Sequence, residues 1–174
     1  MSAALPSGLR GHYQLPDATM TLREGLAEYY EVNPGLSDPA GIDDPKSAAY
    51  FRNHDSTHVV FGTHTGALHE GVNDLWTILG VDIRFRDYVT GFFATDESKD
   101  IAKEISKQFS GTTGVSLVWQ TLRLLPELRR RTRAMTKKWP WTPPDPHLDR
   151  PLNELRAEYG ITVFRPEVRL GLEG

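Results

Sequence analysis

Apolar residues recur along this chain at spacings of three and four, the period of a helix packed on one face. Leu22, Leu26 and Tyr29 or Tyr30 mark a first helix from Thr19 or Thr21 to Glu31, stopped by Asn33-Pro34-Gly35. Asp44-Pro45 joins an N-cap residue to a proline suited to the first helical position and opens a second helix over 45–61. Leu68, Val72, Leu75, Trp76 and Leu79 define a third over 67–79. Residues 81–93 mix β-branched and aromatic side chains and are expected to form a helix or an irregular bend. Asp96 and Ser98 can start a helix over 97–109, Ser110 to Gly114 predict a turn, and a long helix follows over 115–138, disturbed by Pro126. The Pro-rich stretch 139–149 is expected to be an extended crossing segment, 151–159 a short helix ended by Gly160, and 161–174 an extended tail. Residues 1–18, punctuated by Pro6, Gly8, Gly11 and Pro16, read as an irregular arm. The expectation is one all-α domain of about six to eight helices.

Composition narrows the chemistry. A length of 174 residues suffices for a core without staples, and the absence of cysteine removes disulfides, thiolate metal sites, cysteine-ligated clusters and cysteine nucleophiles. The first residues carry no leader pattern and no apolar run approaches a membrane span, so the chain is expected to be soluble and intracellular. The net charge of −3 conceals an asymmetry: residues 1–100 hold 15 acidic and 7 basic side chains, residues 101–174 hold 8 and 13. Arg123, Arg129, Arg130, Arg131, Arg133, Lys137 and Lys138 are opposed locally only by Glu127. With Trp139 and Trp141 beside it, this stretch suits an anionic membrane surface as well as it suits a solvated face. The acidic total and the lack of a groove-reading module argue against nucleic acid.

The candidate chemistry lies in His54-Asp55-Ser56-Thr57-His58 and in Glu70, eleven residues beyond. His54 and His58, one helical turn apart, project from one face at a rise of roughly 6 Å. In a continuous helix Glu70 would lie roughly 18 Å further on and about 120° around the axis. Gly62-Thr63-His64-Thr65-Gly66 supplies a break that folds it back in a helical hairpin. Imidazole nitrogen and carboxylate oxygen suit zinc or a related divalent first-row ion, and few protein ligands leave positions for water or substrate. Asp55 is either a further ligand or the acceptor of an imidazole N–H. His64 and His69, in or near the turn, could replace or supplement a ligand, though exposed loop histidines are the expectation. No catalytic residue is assigned.

The element His-Asp-x-x-His, eleven residues, Glu, standing as His54, Asp55, His58 and Glu70, resembles the signature of the coenzyme Q biosynthesis protein four family. Gly62, the helix after Glu70, and the closing segment from Arg150 to Ile161 are also similar, so that the resemblance touches residues 20–162. His69 departs from it where the family has a small residue, and Gly71 to Trp76 are more polar than expected. The resemblance implies an all-helical protein with His54, Asp55, His58 and Glu70 as metal ligands. It implies a role in oxidative decarboxylation of a polyprenylated aromatic ring precursor of ubiquinone, with hydroxylation at the vacated carbon. It further implies peripheral attachment to the inner face of the membrane from the cytoplasm, beside other ubiquinone-biosynthesis proteins; a homodimer is left open. Leu68, Val72, Leu75 and Trp76 are candidate walls for the prenyl chain. The competing reading is an isoprenoid-lipid-binding scaffold with a structural metal; a metal-dependent phosphohydrolase lacks the further histidines it would need.

Overall fold

The first two α-helices begin where the sequence supplies capping groups. The Thr21 hydroxyl accepts from Glu24 N while Glu24 reaches back to Thr21 N, opening α1 (Leu22–Val32) with a reciprocal cap. The Asp44 carboxylate accepts from Ser47 N at 2.9 Å and opens α2 (Pro45–Phe61). Gly62, at φ 72°, takes the left-handed conformation that ends α2 and starts the return into α3 (Ala67–Gly80). α4 (Phe85–Phe93), α5 (Thr112–Ala134), α6 (Asp145–Leu148), α7 (Leu152–Tyr159) and α8 (Pro166–Leu170) follow, with 3₁₀ turns at His12–Gln14 and Pro39–Gly41. The computed structural model describes residues 5–33, 36, 38–93 and 112–172, and these are all-helical, with no strand among them.

Several expectations are corrected. The turn expected over 110–114 is helical from Thr112, and α5 runs unbroken through Pro126 to Ala134 instead of reaching 138. The bond that Pro126 cannot make is the one to the Leu122 carbonyl, on the exposed side of the helix. Beyond Ala134 the chain is turned aside by α7, whose Tyr159 carbonyl accepts from Thr136 N at 3.0 Å. Within the crossing segment, residues 145–148 form a helical turn, and Pro166 starts a helix inside the tail expected to be extended. Trp139, expected at a lipid boundary, is fully buried: its N–H donates to Gly80 O and its carbonyl accepts from Asp82 N, fastening the crossing segment to the end of α3. Of the arm expected over 1–18, the described part from residue 5 is anchored, with Tyr13 fully buried. The helix expected over 97–109 lies outside the described residues.

The core gathers Leu22 and Tyr29 of α1, Val59 and Phe61 of α2, Trp76 of α3, Leu124 and Leu128 of α5, and Leu152 and Leu155 of α7. α3 and α5 approach closely, since a Cβ on Gly71 would meet Thr121 Oγ1 at 2.7 Å. Arg156 of α7, 3% exposed, donates to the carbonyls of Tyr13, Leu15, Val59 and Val60 at 2.6–2.9 Å. Two of these belong to the last turn of α2, so this cation caps a helix C-terminus as well as tying the arm to the core.

The outer side of α5 runs opposite to that logic. Val115, Val118, Trp119 and Leu122, at helical spacing, are 45–64% exposed. At 100° per residue Arg129, Arg130 and Arg133 lie on the same side, further along. Arg131 instead turns inward to Glu127 and the Thr162 carbonyl. Among the described residues no helix is long and apolar enough to cross a membrane.

Candidate metal centre

The α2–α3 hairpin is joined by polar bonds whose direction can be worked out atom by atom. The Thr57 hydroxyl, on α2, donates its one proton to the His54 carbonyl at 2.6 Å. Thr57 must therefore accept from Asn73 Nδ2, of α3, at 2.9 Å, and this orients the amide. Asn73 Oδ1 then faces the Thr63 hydroxyl, which donates to it at 3.1 Å. Having spent its proton, Thr63 accepts from His58 Nδ1 at 2.9 Å. The string ends by fixing the His58 tautomer: Nδ1 carries the hydrogen, and Nε2 presents a lone pair.

A carboxylate stands beside that lone pair. His58 Nε2 lies 3.2 Å from Glu70 Oε2, yet it is buried and makes no hydrogen bond among the described residues. A bare nitrogen facing an anionic oxygen at this range is a site for a cation. His54, one turn earlier, completes a group of three: donor atoms of His54, His58 and Glu70 all lie within 4.8 Å of one another. Two imidazoles and one carboxylate are a donor set for a divalent first-row ion, so the residues present fit the metal that the motif implies. Tyr29 stacks on the His58 ring and Tyr50 and Tyr88 on that of His54, closing the histidine side, while the Glu70 side chain is 37% exposed.

The fourth sequence-predicted residue stands elsewhere. Asp55 lies behind His54, with Oδ1 3.8 Å from Nδ1 and Oδ2 accepting from the Tyr30 hydroxyl at 3.0 Å; it is outside the group of three. That position is beside the far imidazole nitrogen, beyond hydrogen-bond length. The sequence reading missed Asp74, which also lies outside the group of three but whose Oδ1 is 3.5 Å from His54 Nε2 and accepts from the Tyr88 hydroxyl at 2.6 Å. Its signal was present, since Asp74 follows Glu70 at the four-residue interval that separates the histidines. The hydroxyl and amide string through Thr57, Thr63 and Asn73 carried no such signal. Burial works against a charged His54, but Asp55, Asp74 and Glu70 outweigh it and raise its pKa to about 10. A field that favours a proton there also favours a metal cation. Burial works against the Asp74 carboxylate too, but His54 and the Tyr88 hydroxyl hold its pKa below the usual value.

The loop histidines are corrected as well. His69 is 5% exposed, stacks on His64 at 3.6 Å between ring centroids, and meets Glu167 of α8 at 3.0 Å. His64 Nδ1 accepts from Gly66 N within the turn. Of the candidate prenyl walls, Val72 and Trp76 are fully buried in the core, and Leu68 and Leu75 pack against it.

Comparisons with protein-family models, curated proteins and solved structures return no match. What the centre does must therefore be argued from its own surroundings. Beside it a cleft of about 640 Å³ opens between α2, α4 and the crossing segment, lined by Tyr50, Ile83 and Trp141 and flanked by Lys46, Arg84, Asp44 and Asp87. Tyr50 forms its wall towards His54 and is held by a hydrogen bond to the Tyr88 carbonyl.

Proposed function

We propose that the chain is a metal-dependent protein of ubiquinone biosynthesis, acting in oxidative decarboxylation and hydroxylation of a polyprenylated aromatic ring precursor. The observation that carries this reading is the His58 lone pair held 3.2 Å from Glu70, inside a motif that resembles the family's metal signature. A divalent ion, zinc by the character of the donors, would sit between His54, His58 and Glu70 with Asp55 supporting His54 from behind. When bound it would supply positive charge for the substrate carboxylate and an adjacent ring oxygen. The chain's own contribution is shape. Tyr29, Tyr50 and Tyr88 exclude water from the histidine side, so a ring must approach past the exposed carboxylates. Loss of carbon dioxide with hydroxylation removes two electrons from the substrate; with water supplying the new hydroxyl, dioxygen would take up the two electrons and leave as hydrogen peroxide.

The outer face of α5 favours the second reading, a lipid-binding scaffold among ubiquinone-biosynthesis proteins on the inner face of the membrane. Four exposed apolar side chains followed by three arginines suit an anionic lipid boundary, and they take the place that Trp139 cannot fill. One experiment separates the readings. Protein loaded in turn with zinc, manganese or iron(II) is incubated in air with a prenylated hydroxybenzoic acid while carbon dioxide release is followed, and lipid extracted from the purified protein is identified by mass spectrometry. Metal-dependent release supports the enzyme. Bound isoprenoid without release supports the scaffold, and neither metal nor isoprenoid overturns both.

A further inference from the structure

The two arms of the hairpin carry matched pairs. His54 and His58 stand four residues apart on α2, Glu70 and Asp74 four apart on α3, and the helices run in opposite directions. His58 therefore faces Glu70 at 3.2 Å and His54 faces Asp74 at 3.5 Å, each contact from an imidazole Nε2 to a carboxylate oxygen. Two ligand bonds of about 2.1 Å meeting at roughly 90–110° place their donor atoms about 3.0–3.4 Å apart. Both rungs fall at or close to that separation.

We propose that Asp74 is a fourth protein ligand of the metal centre, making it a two-histidine, two-carboxylate site. This rests on the metal reading above. Three observations carry it beyond that reading. Asp74 approaches Nε2 of His54, whereas Asp55 approaches Nδ1, the other ring nitrogen. Its side chain is 49% exposed, yet the oxygen nearest His54 is held by Tyr88, a residue on a different helix. Lastly, two neutral imidazoles and one carboxylate leave a divalent ion with a net positive charge in a half-buried place, and a second carboxylate neutralises it. Tyr88, donating to the oxygen that would bind, is the residue that positions this ligand.

Zinc affinity measured by competition with a chromophoric chelator, together with the visible absorption of the cobalt(II)-loaded protein, tests the assignment. Asp74→Asn should weaken zinc binding by a factor of about 100 or more and change the cobalt spectrum, while helical content by circular dichroism stays at the wild-type level. Tyr88→Phe should cost about tenfold and leave the cobalt spectrum unaltered, the pattern of a positioning residue. Asp74→Glu, which keeps the carboxylate on a longer arm, should retain binding with a shifted spectrum. Asp74→Asn with wild-type affinity and wild-type cobalt spectrum would overturn the proposal and leave the three-residue centre standing. Wild-type protein that binds neither zinc nor cobalt would overturn the metal reading itself.

Discussion

Replacing Arg156 with methionine should destabilise the protein by about 3 kcal/mol. The guanidinium reaches four carbonyls, but Val59 O also accepts from Gly62 N and Leu15 O from Ala18 N, so the loss falls chiefly on Tyr13 O and Val60 O. A buried carbonyl left without a donor costs about 1–3 kcal/mol, which gives about 2–6 kcal/mol for the two. Against this stands the cost of burying a cation: with no carboxylate partner among the described residues, burial alone lowers the Arg156 pKa to about 10. Methionine removes that cost while filling much of the stem's volume, which places the net in the lower half of the range, at about 3 kcal/mol. At this chain length 1 kcal/mol corresponds to about 2–4 °C, so Tm should fall by about 6–12 °C in differential scanning calorimetry. Arg156→Lys keeps the charge but not the fork, and should fall between the variant and the wild type. Because Val59 and Val60 directly follow His58 in sequence, the methionine variant should also lose zinc affinity. A Tm within 2 °C of wild type would refute the idea that this side chain ties the arm to α2.

Other expectations follow from the same geometry. His58→Ala should abolish metal content by elemental analysis with the helical circular dichroism retained, and unchanged stoichiometry would end the metal reading. Thr63→Val should cut zinc affinity by about 10–100-fold without touching a ligand, because the tautomer of His58 is no longer held; an unchanged affinity would show the string to be ornamental. Burial, with His69 alongside, lowers the His64 pKa from 6.5 to about 3, so the unfolded chain binds the extra proton and stability falls as pH drops through that window. Burial opposes charge on Glu167, yet His69 and Arg165 hold its pKa at about 2 against 4.5, adding a further loss as pH falls from 4.5 towards 2. His64→Asn, which keeps an acceptor for Gly66 N, should flatten the first part of a Tm-against-pH curve; an identical curve would clear His64 of the effect. In sedimentation with vesicles the protein should bind anionic lipid over neutral lipid and release it as salt rises. Trp119→Ser, or glutamine at Arg129, Arg130 and Arg133, should weaken binding, the latter by about 1 kcal/mol per cation; equal binding to neutral vesicles would discard the electrostatic part.

Legibility of the sequence varied with the range of the forces involved. Both ends of α2 were readable because each carries backbone chemistry in adjacent residues, Asp44-Pro45 at the start and Gly62 at the end. His54, His58 and Glu70 were readable for a similar reason, as two short spacings with a forced turn between them. Trp139 was not: its prolines suggested an exposed strap, and its burial depends on bonds to Gly80 and Asp82 nearly sixty residues earlier. His69 was not, because the partner that makes it a buried residue, Glu167, is 98 positions away on a helix of five residues. Asp74 lay between these cases. Its interval from Glu70 was visible, but only the antiparallel run of the hairpin shows that it meets His54.

Each hydroxyl in the string from the His54 carbonyl to the His58 ring owns a single proton, so the bonds along it are not independent variables. They share one sign, set at an end where a carbonyl can only accept. Thr57 therefore governs which nitrogen of His58 is bare, although the shared bond passes through Asn73 and Thr63 and not between the two side chains. A hydroxyl-to-methyl change at Thr57 would release the amide of Asn73 to turn over, and the error would travel to the pocket as a misplaced hydrogen, with no ligand altered and no distance changed. Variants that keep the metal are then expected to alter Thr57, Thr63 and Asn73 as a set, because any one of them exchanged alone leaves a neighbour without its partner or frees the string to reverse.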